Sequence, residues 1–164
     1  MRQDWPRWIF VSLASYLKDV ANSQSLPSII ETVDERTTAF MQAPARAEVR
    51  ITGPFISEPS KGYYQALVDV NVLLTYRFGC KSEYDILTVA GAFQEAMNSP
   101  IAVTNLGGEE GDYVEGQPDT LLQIGCLMPR FGQKQRVLNF GQISVVDHLK
   151  QLEVEARYLL ELQE

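Results

Sequence analysis

Residues 63–78 read YYQALVDVNVLLTYRF, and one position in two of that run is apolar. Tyr64, Ala66, Val68, Val70, Val72, Leu74, Tyr76 and Phe78 fall on one side of a pleated strand. Tyr63, Gln65, Asp69, Asn71, Thr75 and Arg77 fall on the other, with Leu67 and Leu73 as apolar exceptions. At roughly 3.3 Å per residue the run would span about 53 Å, far more than an ordinary strand. The expectation is one long strand that bends at a bulge or passes beyond its own domain, in a sheet completed by neighbouring subunits.

Working outward, Arg46–Thr52 alternates in the same way, with Ala47, Val49 and Ile51 on one side and Glu48, Arg50 and Thr52 on the other. Gly53-Pro54 is expected to close that strand, and Glu58–Gly62 (EPSKG) to turn the chain, giving an antiparallel hairpin with an extended loop. The C-terminal QLEVEARYLLEL (151–162) supports two periods. Leu149, Leu152, Ala156 and Leu159 make a helical stripe, but alternation accounts for more positions, and the reading is a strand.

Helical spacing appears near the N-terminus, where Asp4 is placed to cap, Pro6 fits the first turn, and Ile9, Leu13, Tyr16, Leu17 and Val20 share a face. Trp5 and Trp8 read as buried anchors of that helix or as contacts for a partner subunit. A second helix follows the long strand, with Ser82 and Asp85 resembling a capping box and Ile86, Val89, Ala90, Phe93 and Met97 facing inward. Ser25–Ala45 reads as a connection with one short strand. Strands are expected at 120–128 and 137–146, joined by the polar hinge 129–136. The least structured stretch is TNLGGEEGDYVEGQPD (104–119), which carries four glycines and the acids Glu109, Glu110, Asp112, Glu115 and Asp119. Loops of that length are usually functional or disordered.

These elements describe one α+β domain over residues 1–164: a mainly antiparallel sheet with a long hairpin, packed by an N-terminal helix and a second helix. Apolar residues are 45% and charged residues 21%, as in ordinary folded domains. A formal net charge of −7 argues against a surface that grips nucleic acid. It suits a wall that a passing duplex must not stick to. No stretch has the length and apolarity of a membrane span or a signal peptide, so the expected setting is a cytoplasm. Cys80 and Cys126 have no metal-site spacing and read as two buried thiols.

The search for chemistry yields little. Residues 107–111 (GGEEG) lack the Lys and Ser or Thr of a phosphate loop, and their acids miss the spacing of a calcium loop. His148 is the only histidine; with Asp147 beside it and no GxSxG or activated cysteine elsewhere, it reads as an exposed side chain. No catalytic residue, cofactor or metal is expected.

The order helix, connection, long hairpin, helix, acidic loop, returning strands, carried by AEVRITGPF (47–55), GYYQALVDVNVLLTYRF (62–78), SEYDILTVAGAFQEAM (82–97) and QLEVEARYLLEL (151–162), resembles the tail-terminator and neck (head-tail joining) proteins of tailed bacteriophages. The resemblance covers most of the chain from residue 4 onward and rests on architecture, with no diagnostic short motif. The long segment Ser25–Ala45 and the polar stretch Pro129–Arg136 depart from it. It implies a virion subunit assembled in the host bacterial cytoplasm, forming a homo-oligomeric ring, commonly a hexamer, on the head-proximal end of the tail tube. Its implied neighbours are the tail tube protein, the head-tail connector and, in a contractile tail, the sheath, with genome DNA passing unbound through the channel. Under that resemblance Glu109, Glu110, Asp112, Glu115 and Asp119 are candidates for a channel or docking loop. Glu58, Lys61, Tyr63 and Tyr64 are candidates for an inter-subunit hairpin. Two alternatives stand beside it. One is another ring of the same particle, a tail tube subunit or a head-completion protein, although the leading helix favours the terminator. The other is a small intracellular ligand-binding α+β enzyme, which needs a pocket of convergent polar groups. A third class, an adaptor acting as monomer or dimer, is favoured if the long strand is capped at both ends and unable to pair.

Overall fold

Alternation over residues 63–77 produces a strand of fifteen residues, β3 (Tyr63–Arg77), because every second side chain can enter one core. The structure, a computed structural model, describes residues 2–77, 79, 83–110, 112–130, 136–144 and 148–163, with side chains for all of these except 83, 84 and 136–144. Along β3, Val68, Val70, Val72 and Leu74 are wholly buried. Burial of side chains this size stabilises by about 1.5–3 kcal/mol each.

Chain order is α1 (Trp5–Ser23), β1 (Ser28–Ile30), α2 (Thr38–Gln42), β2 (Ala45–Ser60), β3, α3 (Glu83–Met97), β4 (Ile101–Thr104), a 3-10 turn at Pro118–Thr120, β5 (Gln123–Pro129), β6 (Arg136–Ser144) and β7 (Leu149–Gln163). The seven strands form one mostly antiparallel sheet in the order β1-β2-β3-β7-β5-β4, with β6 also on β7. The fold is therefore α+β. β7 has two neighbours on one edge because its length divides: β6 takes residues 149–155, and β5 takes Tyr158 and Leu159. The period-two reading of the C-terminal segment is the one the fold adopts.

β3 is central. It pairs with β2 on one side and, from Tyr63↔Gln163 to Arg77↔Leu149 without a shift, with β7 on the other. This corrects the expectation that neighbouring subunits complete the long strand: its own β2 and β7 do so along both edges.

Gly53-Pro54 does not close β2. The strand runs on to Ser60, and a one-residue register shift between Thr52 and Phe55 absorbs the pair as a bulge. Gly53 has φ +104, and a Cβ there would sit 2.8 Å from the Leu67 carbonyl oxygen, so only glycine fits. The Gly53–Pro54 peptide is cis. The hairpin loop is correspondingly tight, with Lys61 and Gly62 alone between the strands, and the Gly62 N–H donates to Glu58 Oε1 at 2.9 Å.

α1 and α3 cover one face of the sheet. Ile9, Leu13 and Leu17 of α1 and Ile86, Phe93 and Met97 of α3 are fully buried with the inward side chains of β3 and β7. Tyrosine hydroxyls tie the layers together. Tyr158 Oη donates to the Met97 carbonyl at 2.9 Å, and Tyr16 Oη to the Ala96 carbonyl at 3.0 Å. Asp4 is not the side-chain cap expected of it: its backbone is helical and its carboxylate meets Arg7 instead. Ser82 of the expected capping box, Cys80 and Asp147 lie outside the described residues.

Among the described residues, those that cover the opposite face are 31–42, at one end of it. Three successive outward side chains of β2 are held there: Arg46 over the Phe40 ring and on the Met41 carbonyl, Glu48 on Arg36, and Arg50 on Glu31. α2, which lies in this covering segment, and the short strand β4 have no counterpart among the elements expected from sequence.

Candidate functional site

The acidic stretch after β4 is not the loose segment its composition suggests. Asn105, 3% exposed, staples its two ends. Its backbone N–H donates to the Leu122 carbonyl, its Nδ2 to the Thr120 carbonyl, and its Oδ1 accepts the Leu122 N–H at 2.7 Å. The Tyr113 N–H then closes onto the Asn105 carbonyl at 2.8 Å. Residues 105–110 and 112–122 thus belong to a compact loop organised around one amide.

A second attachment fixes the loop to α1. Asp112 is 4% exposed and receives four hydrogen bonds. Trp8 Nε1 donates to Oδ1 at 2.6 Å, Arg7 Nη2 to Oδ1 at 2.9 Å and to Oδ2 at 3.0 Å, and the Glu109 N–H to Oδ2 at 3.1 Å. Burial by itself pushes this carboxyl up, but the bonds from Trp8, Arg7 and Glu109 outweigh it and hold Asp112 below the usual carboxylate range. The same contact raises Arg7. Gly107 provides the space: a Cβ on it would lie 2.5 Å from Asp112 Oδ2 and 2.8 Å from Arg7 Nε. Gly107, the first glycine of GGEEG, therefore makes room for an internal ion pair.

Of the five acids singled out, Asp112 is corrected: it is a buried anchor and presents nothing to a channel or partner. Glu109, Glu110, Glu115 and Asp119 are exposed. Beside them in the same loop Val114, Leu121 and Leu122 are each about half exposed, at 48%, 49% and 48%. The pinned loop thus shows apolar side chains among carboxylates on its exposed side. Among the described residues no group of three or more His, Cys, Asp or Glu is placed to hold a metal.

The hairpin candidates divide likewise. Tyr64 is 8% exposed and packs edge-on against Trp5, ring centroids 5.3 Å apart, so it is core and not an inter-subunit contact. Trp5 and Trp8, both 2% exposed, are the buried anchors of the two readings open for them. Tyr63 is half-buried and bonds to Glu161, which raises its phenol. Glu58 and Lys61 are exposed at the turn. His148 is exposed at a left-handed position just before β7, and Cys126 is half-buried as a free thiol.

Sequence reasoning missed Arg7 and Asn105. A signal for Arg7 was present: an arginine and a tryptophan side by side in the first turn of a helix bring donors that need a buried acceptor. The acceptor lies 105 positions away.

The chain matches no protein-family model and no curated protein sequence. Among the described residues no helix is long and apolar enough to cross a membrane.

Proposed function

We propose that this chain is a structural subunit of a tailed-bacteriophage neck, forming a ring at the head-proximal end of the tail tube. There it ends tube polymerisation and joins the tail to the head connector around a channel for genome DNA. The observation that carries this reading is the pinned acidic loop. It holds four exposed carboxylates and three exposed apolar side chains in fixed positions on a domain whose element order resembles the tail terminators. Carboxylates held rigid at a channel wall repel a passing duplex, and apolar groups among them give a docking protein a dry centre. The β2–β3–β7 platform supports the same reading, since strands of fifteen or sixteen residues, with β3 and β7 paired rung for rung, make a stiff wall. The partners proposed are the tail tube protein, the connector and, in a contractile tail, the sheath. The reading assigns no catalysis.

Negative-stain electron microscopy beside native mass measurement tests it. Closed rings of one size, alone or on added tube tips, are expected. Open tubes would move the assignment to a tube subunit, and a monomer that also ignores tube tips would end it. Particles in which Glu109, Glu110, Glu115 and Asp119 are all changed to Lys are expected to eject DNA poorly; normal ejection would remove the loop from the channel wall.

A further inference from the structure

We propose that the part of the opposite sheet face that carries exposed apolar side chains is a self-association surface, and that its occupant is a second copy of this chain, seated face to face about a two-fold axis. The surface is a row of four apolar side chains crossing four strands. Phe55 pairs with Leu67, Leu67 with Leu159 and Leu159 with Met128, so all four stand on the same side of the sheet. Phe55 is 57% exposed and Met128 42%, with Leu67 and Leu159 half-buried between them. Three spacings of about 4.8 Å make the row about 14 Å wide. The segment 31–42 that covers this face does so over Arg46, Glu48 and Arg50 and leaves the row clear.

Charge identifies the occupant. On one side of the row lie Thr52, Asp69 and Arg157; on the other lie Ser57, Gln65 and Glu161. A two-fold axis along the row keeps every position along it and reverses the strand direction. Each apolar residue then meets its own counterpart, and the two flanking rows exchange places. Arg157 comes opposite Glu161 of the second copy, Asp69 opposite Gln65, and Thr52 opposite Ser57, with the same set repeated on the far side of the axis. No like charges meet in these rows. Arg157 already holds Asp69 through Nε and through Nη2 at 2.9 Å, which fixes its guanidinium on this face before any partner arrives. Two sheets packed this way adopt the aligned arrangement of ordinary sandwiches, about 10 Å apart.

The contact is isologous, unlike the heterologous contacts that close a ring, so it pairs subunits or sets two rings back to back. Sedimentation equilibrium with native mass measurement tests it on the intact chain, with circular dichroism to establish that each variant folds. The wild type is expected to form dimers or even-numbered assemblies. Phe55→Lys and Met128→Lys, both at exposed positions, are expected to weaken pairing about tenfold or more. Glu161→Lys, facing Arg157 of the other copy, weakens it most at low salt. Leu87→Lys, an equally exposed site on α3, leaves it unchanged. Were the ring reading alone to fail, dimers that respond in this way would remain. A wild type with no paired species, or pairing that Leu87→Lys weakens as much as Phe55→Lys, would overturn the proposal.

Discussion

The loop 105–122 and the hairpin tip 53–62 have opposite compositions and opposite fates. The loop is rich in glycine and acid, yet it is stapled by Asn105 and anchored by a buried carboxylate. The tip continues two paired strands, yet most of its β2 side is exposed and it is closed by a two-residue turn. Order in a connecting segment thus depends less on its average polarity than on whether one or two of its polar groups reach buried partners.

Removing the anchor breaks that contrast most directly. Asp112→Ala leaves the Trp8 indole N–H without its acceptor and the Arg7 guanidinium with Asp4 alone, and is expected to destabilise the fold by about 2–3 kcal/mol, read from chemical denaturation. Asp112→Asn, which keeps part of the bonding, is expected to cost less. Gly107→Ala pushes a methyl into the same ion pair and is expected to cost about 1–2 kcal/mol. Gly62→Ala at the tip meets open space but sits at φ +75, so its cost of about 1 kcal/mol comes from backbone strain alone and leaves the loop untouched. Equal losses for the two glycine variants in a hydrogen-exchange map of the loop would erase the distinction.

Acid offers a gentler probe. Asp112 is depressed in the folded chain, so its stabilisation is complete above the ordinary aspartate range and is lost as pH falls through its lower folded value. Tryptophan fluorescence is expected to report this loss below about pH 4, and Asp112→Asn to abolish that step. The smallest effect belongs to the exposed acids. Changing Glu109, Glu110, Glu115 and Asp119 to Lys is expected to move stability by less than about 0.5 kcal/mol per site. A larger fall would mean that these carboxylates, too, hold the loop.

Periodicity made the platform legible. The alternations at 63–77 and 151–162 reflect a one-sided core, and each strand carries its own half of that pattern. What lay hidden needed a partner to be seen. Gly53-Pro54 reads locally as a stop, and only the opposing Leu67 carbonyl turns it into a bulge. Tyr64 looked available to a neighbour because nothing in a strand announces the Trp5 ring that covers it. Asp112 looked like one acid among five because its donors belong to the first helix. The four-residue strand β4 was too short to show a period.

The unbroken register between β3 and β7 also has a mechanical meaning. Arg77 and Gln163 lie at opposite ends of this pair, so tension drawn between them runs along the strands. Such a pull strains every rung at the same moment in shear; it cannot open them singly from one end. The joint resists stretching along its length and peels rung by rung when lifted sideways at either end, Tyr63–Gln163 or Arg77–Leu149.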